Sequence, residues 1–242
     1  MTPRVPSLEL DAASYPEFRD GIVAAEAAGD ALPGKPRTYP GYPRWALDPV
    51  RPRRWGSLDR VLAARRCVRD LAAALPTRRD LSRLLRAGHG VTGPMSAGPV
   101  PSAGGFQALE LYLVVFETGW LPAGLYHYDR AGHHLSQVAP NATRADWRRR
   151  VPSLDLVRGG SVLWVLVGDG DRVDRKYGGR AFRFLLQEAG HLMQNLCLLS
   201  ASLKLVTVPL GGYLERTIAR EFQLPATDLV LYTGLCGRPI GH

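Results

Sequence analysis

Lysine is scarce in this chain, so each one is informative. Of 31 basic residues only Lys35, Lys176 and Lys204 are lysine, and the rest are arginine. Arginine stays protonated, whereas lysine can titrate and take up a proton during a reaction. Lys176 is followed by Tyr177 in the run KYGGRA, which sets a proton acceptor beside a phenol. The competing reading is a loop lysine next to a core aromatic. A second segment, Arg65-Arg66-Cys67-Val68-Arg69, carries guanidinium forks suited to bidentate contacts with a phosphate. A solvated basic helix end is its alternative. A third, Pro101-Ser102-Ala103-Gly104-Gly105, consists of small residues. Such a loop lets backbone N–H groups approach a flat ligand closely, or is simply a loop. The fourth is Pro209-Leu210-Gly211-Gly212-Tyr213, with Gly237-Arg238-Pro239 near the end of the chain.

Other chemistries lack their residues. No GxGxxG follows a strand and no phosphate-loop motif occurs, so a Rossmann or P-loop nucleotide site is unsupported. Glu188 and His191 have the i, i+3 spacing of di-iron bundles, but the second copy and the additional glutamates are missing, and no metal site is expected. His133 and His134 sit in an expected turn and read as solvated. No GxSxG elbow anchors a serine triad. The cysteines, Cys67, Cys197 and Cys236, are odd in number and widely spaced, which suits a reduced, cytoplasmic protein better than a disulfide scaffold. The formal net charge of +9 invites a nucleic-acid partner. The arginines are spread along the whole chain, however, without zinc-finger or RNA-binding signatures, so no nucleic acid is expected. No run is long and apolar enough for a membrane span, and no membrane partner is expected.

The elements that must position these segments follow from periodicity. Residues 1–55 read as a Pro-rich N-terminal arm with one helix over about 16–28. Prolines at 33, 36, 40, 43, 49 and 52 favour extended chain, and Tyr39, Tyr42 and Trp45 give it something to bury. Residues 56–242 read as one domain. Leu58 to Ala64 and Leu81 to Ala87 are amphipathic helices, and Leu109 to Phe116, Gly124 to Asp129 and Ser161 to Gly168 are strands. Arg180 to Leu203 is the longest helix, with small and apolar residues on more than one side. Leu205 to Pro209 and Asp228 to Gly234 complete the strands. This order lacks βαβ alternation and predicts an α+β fold, a mostly antiparallel sheet flanked by helices.

Read in order, the segments resemble the nitroreductase superfamily, and within it the SagB-type peptide dehydrogenases. The resemblance rests on Arg65 to Arg69, PSAGG before Glu110-Leu111-Tyr112, GLYHYD at 124–129, KYGGRA at 176–181, EAGHLMQNL at 188–196 and PLGGY at 209–213. Three departures are visible: Cys67 stands where serine is usual, residues 93–100 lack an arginine, and Gln107-Ala108 replaces tyrosine-proline. The resemblance implies FMN as cofactor. Arg65, Arg69 and Arg238 would hold its phosphate, with Arg66 and Cys67 nearby. Pro101, Ser102, Ala103, Gly104, Gly105, Leu210, Gly211 and Gly212 would lie along the ring. It further implies a homodimer with FMN at the subunit interface, and catalysis by Lys176 as proton acceptor assisted by Tyr177. The implied reaction oxidises thiazoline or oxazoline rings in a modified precursor peptide, with help from a cyclodehydratase or leader-binding protein. The alternatives are an NAD(P)H-dependent nitro or quinone reductase, a dehydrogenase acting on another peptide bond, and a flavin-free subunit of a biosynthetic complex.

Overall fold

The computed structural model describes residues 37–49, 58–94 and 96–241. The helix expected over 16–28 and the boundary between 55 and 56 fall outside them. The elements are β1 (Arg44–Ala46), α1 (Leu58–Ala64), β2 (Leu71–Ala72), α2 (Arg78–His89), β3 (Leu109–Val115), β4 (Gly124–Asp129) and β5 (His134–Pro140). They continue with α3 (Arg144–Arg148), β6 (Val162–Asp169), α4 (Gly170–Tyr177), α5 (Ala181–Ser202), β7 (Val206–Leu210), α6 (Glu215–Glu221) and β8 (Asp228–Pro239). The strands form one sheet in the order β1-β5-β4-β3-β6-β8-β2, with β7 also on β8. Every strand pair is antiparallel, as the sequence predicts.

The centre of the sheet explains why helices cover both faces. All seven residues of β3 are buried, and alternate side chains go to opposite sides. Leu109, Leu111, Leu113 and Val115 join one core with α2 and α5, while Tyr112 and Val114 join a second core with Trp147, Ile218 and Phe222. Strand β6 splits the same way, with Trp164 and Leu166 on the first side and Leu163 and Val165 on the second. In α5 the buried residues Leu185, Ala189, Leu192, Leu196 and Ser200 recur every three or four positions, one helical stripe. Phe182, Leu186, Gly190, His191 and Gln194 on the other side are exposed. A single chain therefore buries one side of this helix, not several.

Residues 37–49, the part of the expected arm that the structure describes, pack against the sheet. Strand β1 extends the sheet at β5. Pro43 has no N–H to donate, yet its carbonyl accepts from the Gln137 N–H at 3.0 Å. Upstream, Arg37 Nη1 donates to Asp228 Oδ2 at 2.6 Å and to the Tyr112 hydroxyl at 3.0 Å, and the Tyr39 and Tyr112 hydroxyls lie 2.7 Å apart. Trp45 packs edge-on against Tyr126, whereas Tyr42 remains 43% exposed. His133 is not solvated: its ring bonds the Tyr128 hydroxyl at 2.9 Å and the Asp48 carbonyl at 3.1 Å. Among the described residues no helix is long and apolar enough to cross a membrane.

Candidate functional site

Lys176 and Tyr177 end α4, which starts where Asp169 accepts a capping bond from the Arg172 N–H at 3.1 Å. The helix stops at Gly178, whose φ of +48° lies in the region that favours glycine. The Tyr177 ring meets Phe106 edge-on at 6.1 Å and Phe184 of α5 at 4.8 Å. Lys176 Nζ lies 5.4 Å from the Phe106 ring centre and 5.7 Å from that of Tyr177, so two aromatic rings flank the amine. The Ala103–Gly105 turn completes the cluster. Gly104 has φ +60°, and a Cβ added there would stand 2.7 Å from the Tyr177 hydroxyl oxygen. The structure thus brings the small-residue loop and the Lys-Tyr pair into contact.

A polar network that sequence reasoning missed holds this loop. The Ser102 hydroxyl accepts from the Gln107 N–H at 2.8 Å and donates to the carboxylate of Glu188. Gln107, one of the departures noted above, adopts φ +51° and gathers the surrounding groups. Its carbonyl accepts from Arg172 at 2.8 Å, its Oε1 accepts from Arg130 at 2.7 Å, and its Nε2 donates to the Val100 carbonyl at 3.4 Å. Arg172 also pairs with Asp169 at 2.9 Å and with Glu110 at 3.1 Å, and Glu110 bonds His127 at 2.9 Å. Burial pushes the Glu110 carboxyl up, but the His127 hydrogen bond and the neighbouring positive charges outweigh it and leave the group below its usual range. Each of these residues is ordinary in sequence; only the fold assembles them.

Glu188 is 3% exposed. Burial pushes its carboxyl up to about 7, against the Ser102 hydrogen bond, the Arg130 charge and a hydrogen bond from the Leu109 backbone. Its Oε1 has no hydrogen-bond partner among the described residues. Glu188 is therefore a buried acid behind the loop rather than half of a metal pair with the exposed His191. No cluster of metal-ligating side chains occurs among the described residues.

The basic residues gather elsewhere. Arg66 and Arg238 line a pocket of about 580 Å³ with Lys204, Cys197, Ala201 and Val206. Arg65, half-buried, places Nη1 3.5 Å from the sulfur of the exposed Cys67. Arg65, Cys67 and the exposed Arg69 flank the pocket rather than lining it. Lys204 was not predicted there; the scarcity of lysine was the available signal. Leu210 is buried at the end of β7, and Gly211 and Gly212 follow it exposed. An added Cβ on Gly211 would meet nothing within 4 Å, which leaves room for a flat group, and Gly212 is held through its carbonyl by Ser153 Oγ at 2.8 Å. A wider groove, about 940 Å³, adjoins it at Tyr213.

Within one chain the two halves are separate. The Lys-Tyr and loop cluster touches α5 at Phe184 and Glu188, whereas the basic pocket touches it at Cys197 and Ala201. At 1.5 Å per residue, Glu188 and Ala201 lie about 20 Å apart along the helix.

Residues 62–238 match the nitroreductase family. A protein of Methanocaldococcus jannaschii named as a candidate nitroreductase is 29% identical over 174 residues, covering 72% of this chain and 88% of that one. Among solved structures, one described as a nitroreductase from Ralstonia eutropha JMP134 superposes with a TM-score of 0.72 at 24% identity, covering 86% of this chain and 95% of that chain. A chain of the Escherichia coli microcin synthetase McbBCD complex, solved with truncated pro-MccB17 bound, gives 0.61 at 20% identity, covering 93% and 82%. The Vibrio harveyi NADPH:FMN oxidoreductase complexed with NAD+ gives 0.54 at 16% identity, covering 76% and 69%. At these identities the structural likenesses establish a shared fold.

Proposed function

The chain belongs to the nitroreductase family of flavin-dependent oxidoreductases, and on that premise we propose that it is an FMN-dependent dehydrogenase of azoline rings in a ribosomally made peptide. The observation that carries this reading is Tyr177 packed on Gly104 of the Ala103–Gly105 turn, with Lys176 Nζ 5.4 Å from the ring centre of the adjoining Phe106. A reductase fed by NAD(P)H needs no protein base beside its ring, whereas turning an azoline into an azole requires a proton to leave carbon along with a hydride. The likeness to a chain of the microcin synthetase McbBCD complex, solved with truncated pro-MccB17 bound, supports the same reading.

The residues present fit FMN. The open backbone at Gly211 and the tight turn at Gly104 would admit a flat ring, and the cations of the basic pocket would take a phosphate. Bound there, FMN would supply the acceptor for the hydride. The protein's own part is to hold the azoline against the aromatic wall of Phe106 and Tyr177, to accept the carbon-bound proton on Lys176 Nζ, and to aid that transfer with the Tyr177 hydroxyl. Lys176 and Tyr177 are both half-buried, so substrate can reach them while water is partly excluded.

The separation along α5 bears on assembly. A single FMN would bridge the halves most directly if the basic pocket of one copy met the loop of a second, as in the homodimer that the resemblance implies. The exposed side of α5, with Phe182 and Leu186 beside Gly190, suits such burial. Recognition of the precursor peptide would fall to a separate cyclodehydratase or leader-binding protein.

The test is the visible spectrum of FMN-loaded protein under anaerobic conditions. A flavin band that bleaches on adding an azoline peptide and returns with air is the expected result. A band bleached by NAD(P)H but not by peptide would replace the dehydrogenase with a reductase, and protein that takes up no flavin would leave only a structural subunit.

A further inference from the structure

Lys204 occupies a position where the backbone favours glycine. Helix α5 ends in a Schellman motif: the Leu205 N–H donates to the Ser200 carbonyl at 2.8 Å and the Lys204 N–H to the Ala201 carbonyl at 3.2 Å. The residue between the helix and the closing Leu205 must turn left-handed, and Lys204 has φ +57°. Glycine fills this place without steric cost, whereas a side chain with a Cβ strains it. A positive charge near a helix C-terminus interacts favourably with the last carbonyls, but a lysine one turn earlier would gain that without strain. Strain held at one residue directs attention to what its side chain reaches.

Lys204 reaches the basic pocket. Arg66, Lys204 and Arg238 line it, and no carboxylate does. None of the three has an ion-pair partner among the described residues. Three cations around one cavity without a counter-charge repel one another until an anion enters. The rest of the wall, which includes Cys197, Ala201, Leu205 and Val206, is small or apolar and offers no competing acceptor beyond backbone.

We infer that Lys204 is a phosphate-binding residue, the third cation of a cradle for the terminal phosphate of FMN. The assignment rests on the flavin reading above and adds to it a residue that contacts the phosphate and not the ring. Two effects of opposite sign follow from one substitution. Lys204→Gly relieves the left-handed strain and removes the charge, so the folded protein gains stability while FMN affinity falls. Riboflavin, which has the same ring and no phosphate, is indifferent to the charge.

The experiment measures dissociation constants of FMN and riboflavin by quenching of flavin fluorescence, with melting temperatures of the flavin-free proteins. Wild type is compared with Lys204→Gly, Lys204→Asn and Lys204→Arg; asparagine tolerates the left-handed turn without charge, and arginine keeps the charge. The expected result for Lys204→Gly is a melting temperature raised by roughly 2–4 °C and FMN binding weakened about tenfold, with riboflavin binding unchanged. Lys204→Asn should likewise weaken FMN alone, and Lys204→Arg should retain FMN binding. Equal effects on both flavins, or no loss of FMN affinity, would overturn the assignment while leaving the flavin site standing. Wild-type protein that binds neither flavin would overturn the flavin reading and the phosphate assignment with it.

Discussion

Glu188→Gln isolates the cost of keeping a charge behind the Ser102 loop. The carboxyl sits at about 7 in the folded protein, against an ordinary value of 4.5, because burial disfavours its charged form. An acid with a raised folded-state pKa binds more protons folded than unfolded, so stability falls as pH rises through the interval between the two values. Below about 4.5 Glu188 is neutral in both states and imposes no cost. Each pH unit across the interval is worth about 1.4 kcal/mol, so by pH 8 the charged carboxylate costs up to about 3 kcal/mol. Glutamine has the same shape, cannot ionise, and can still accept the Ser102 hydroxyl and Leu109 N–H bonds through its carbonyl. Its amide N–H₂ would face the position of the unpartnered Oε1, a penalty that does not vary with pH. The stability of Glu188→Gln minus that of wild type should therefore climb between pH 4.5 and 7 and level off above. The climb totals about 3 kcal/mol, or roughly 6–12 °C in melting temperature for a chain of this size. Urea unfolding at pH 4.5, 5.5, 6.5 and 8 reads it directly. A difference that stays flat across these values, or that declines as pH rises, would refute the argument that Glu188 is carried as a buried, strained charge.

Four further substitutions test the site and the arm. Gly104→Ala places its Cβ 2.7 Å from the Tyr177 hydroxyl and 3.0 Å from the Phe106 ring, and should cost about 1–3 kcal/mol. Gly105→Ala, at φ +70° with nothing within 4 Å, should cost about 1 kcal/mol, and equal losses in the two would show that contact with Tyr177 is unimportant. Arg37→Ala leaves the Asp228 side chain, 1% exposed, without its ion partner, and chemical denaturation should show a loss of about 3–5 kcal/mol; a loss below 1 kcal/mol would mean the arm contributes little. Lys176→Arg should bind FMN normally yet turn over azoline peptide about a hundredfold more slowly or worse, and normal turnover would remove Lys176 from the chemistry.

The sequence and the structure agree best where the signal is local. The turn at Gly104 and the β7 exit at Gly211 were legible because small residues cluster where a backbone must turn or approach a ligand, whereas α4, which carries Lys176 and Tyr177, was not read as a helix. Strand β6 was legible from its uninterrupted apolar run, and β3 from its alternation and branched residues. The network through Gln107, Arg130, Arg172, Glu110 and His127 was not, because its partners lie tens of residues apart and none has an unusual neighbour in sequence. Strand β1 was hidden by its flanking prolines, which an edge strand tolerates. The basic pocket was half-legible: arginines 66 and 238 were candidates, while Lys204 enters only through the geometry at the end of α5. The spread of apolar residues along that helix suggested burial on more than one side, whereas a single chain covers one stripe.

The arm sets an order of events. From Arg37 at Asp228 and Tyr112 to β1 at the rim of β5, it runs across strands that must already be neighbours before any of its contacts can exist. Its bonds to Tyr112 and Asp228 span 75 and 191 residues of sequence, separations that put them late in assembly. The arm therefore acts on the exit rate from the native state and hardly on the rate of reaching it. Substitutions at Arg37 or Tyr39 should speed unfolding and leave refolding nearly untouched, so that in this protein persistence and foldability are set by different stretches of chain.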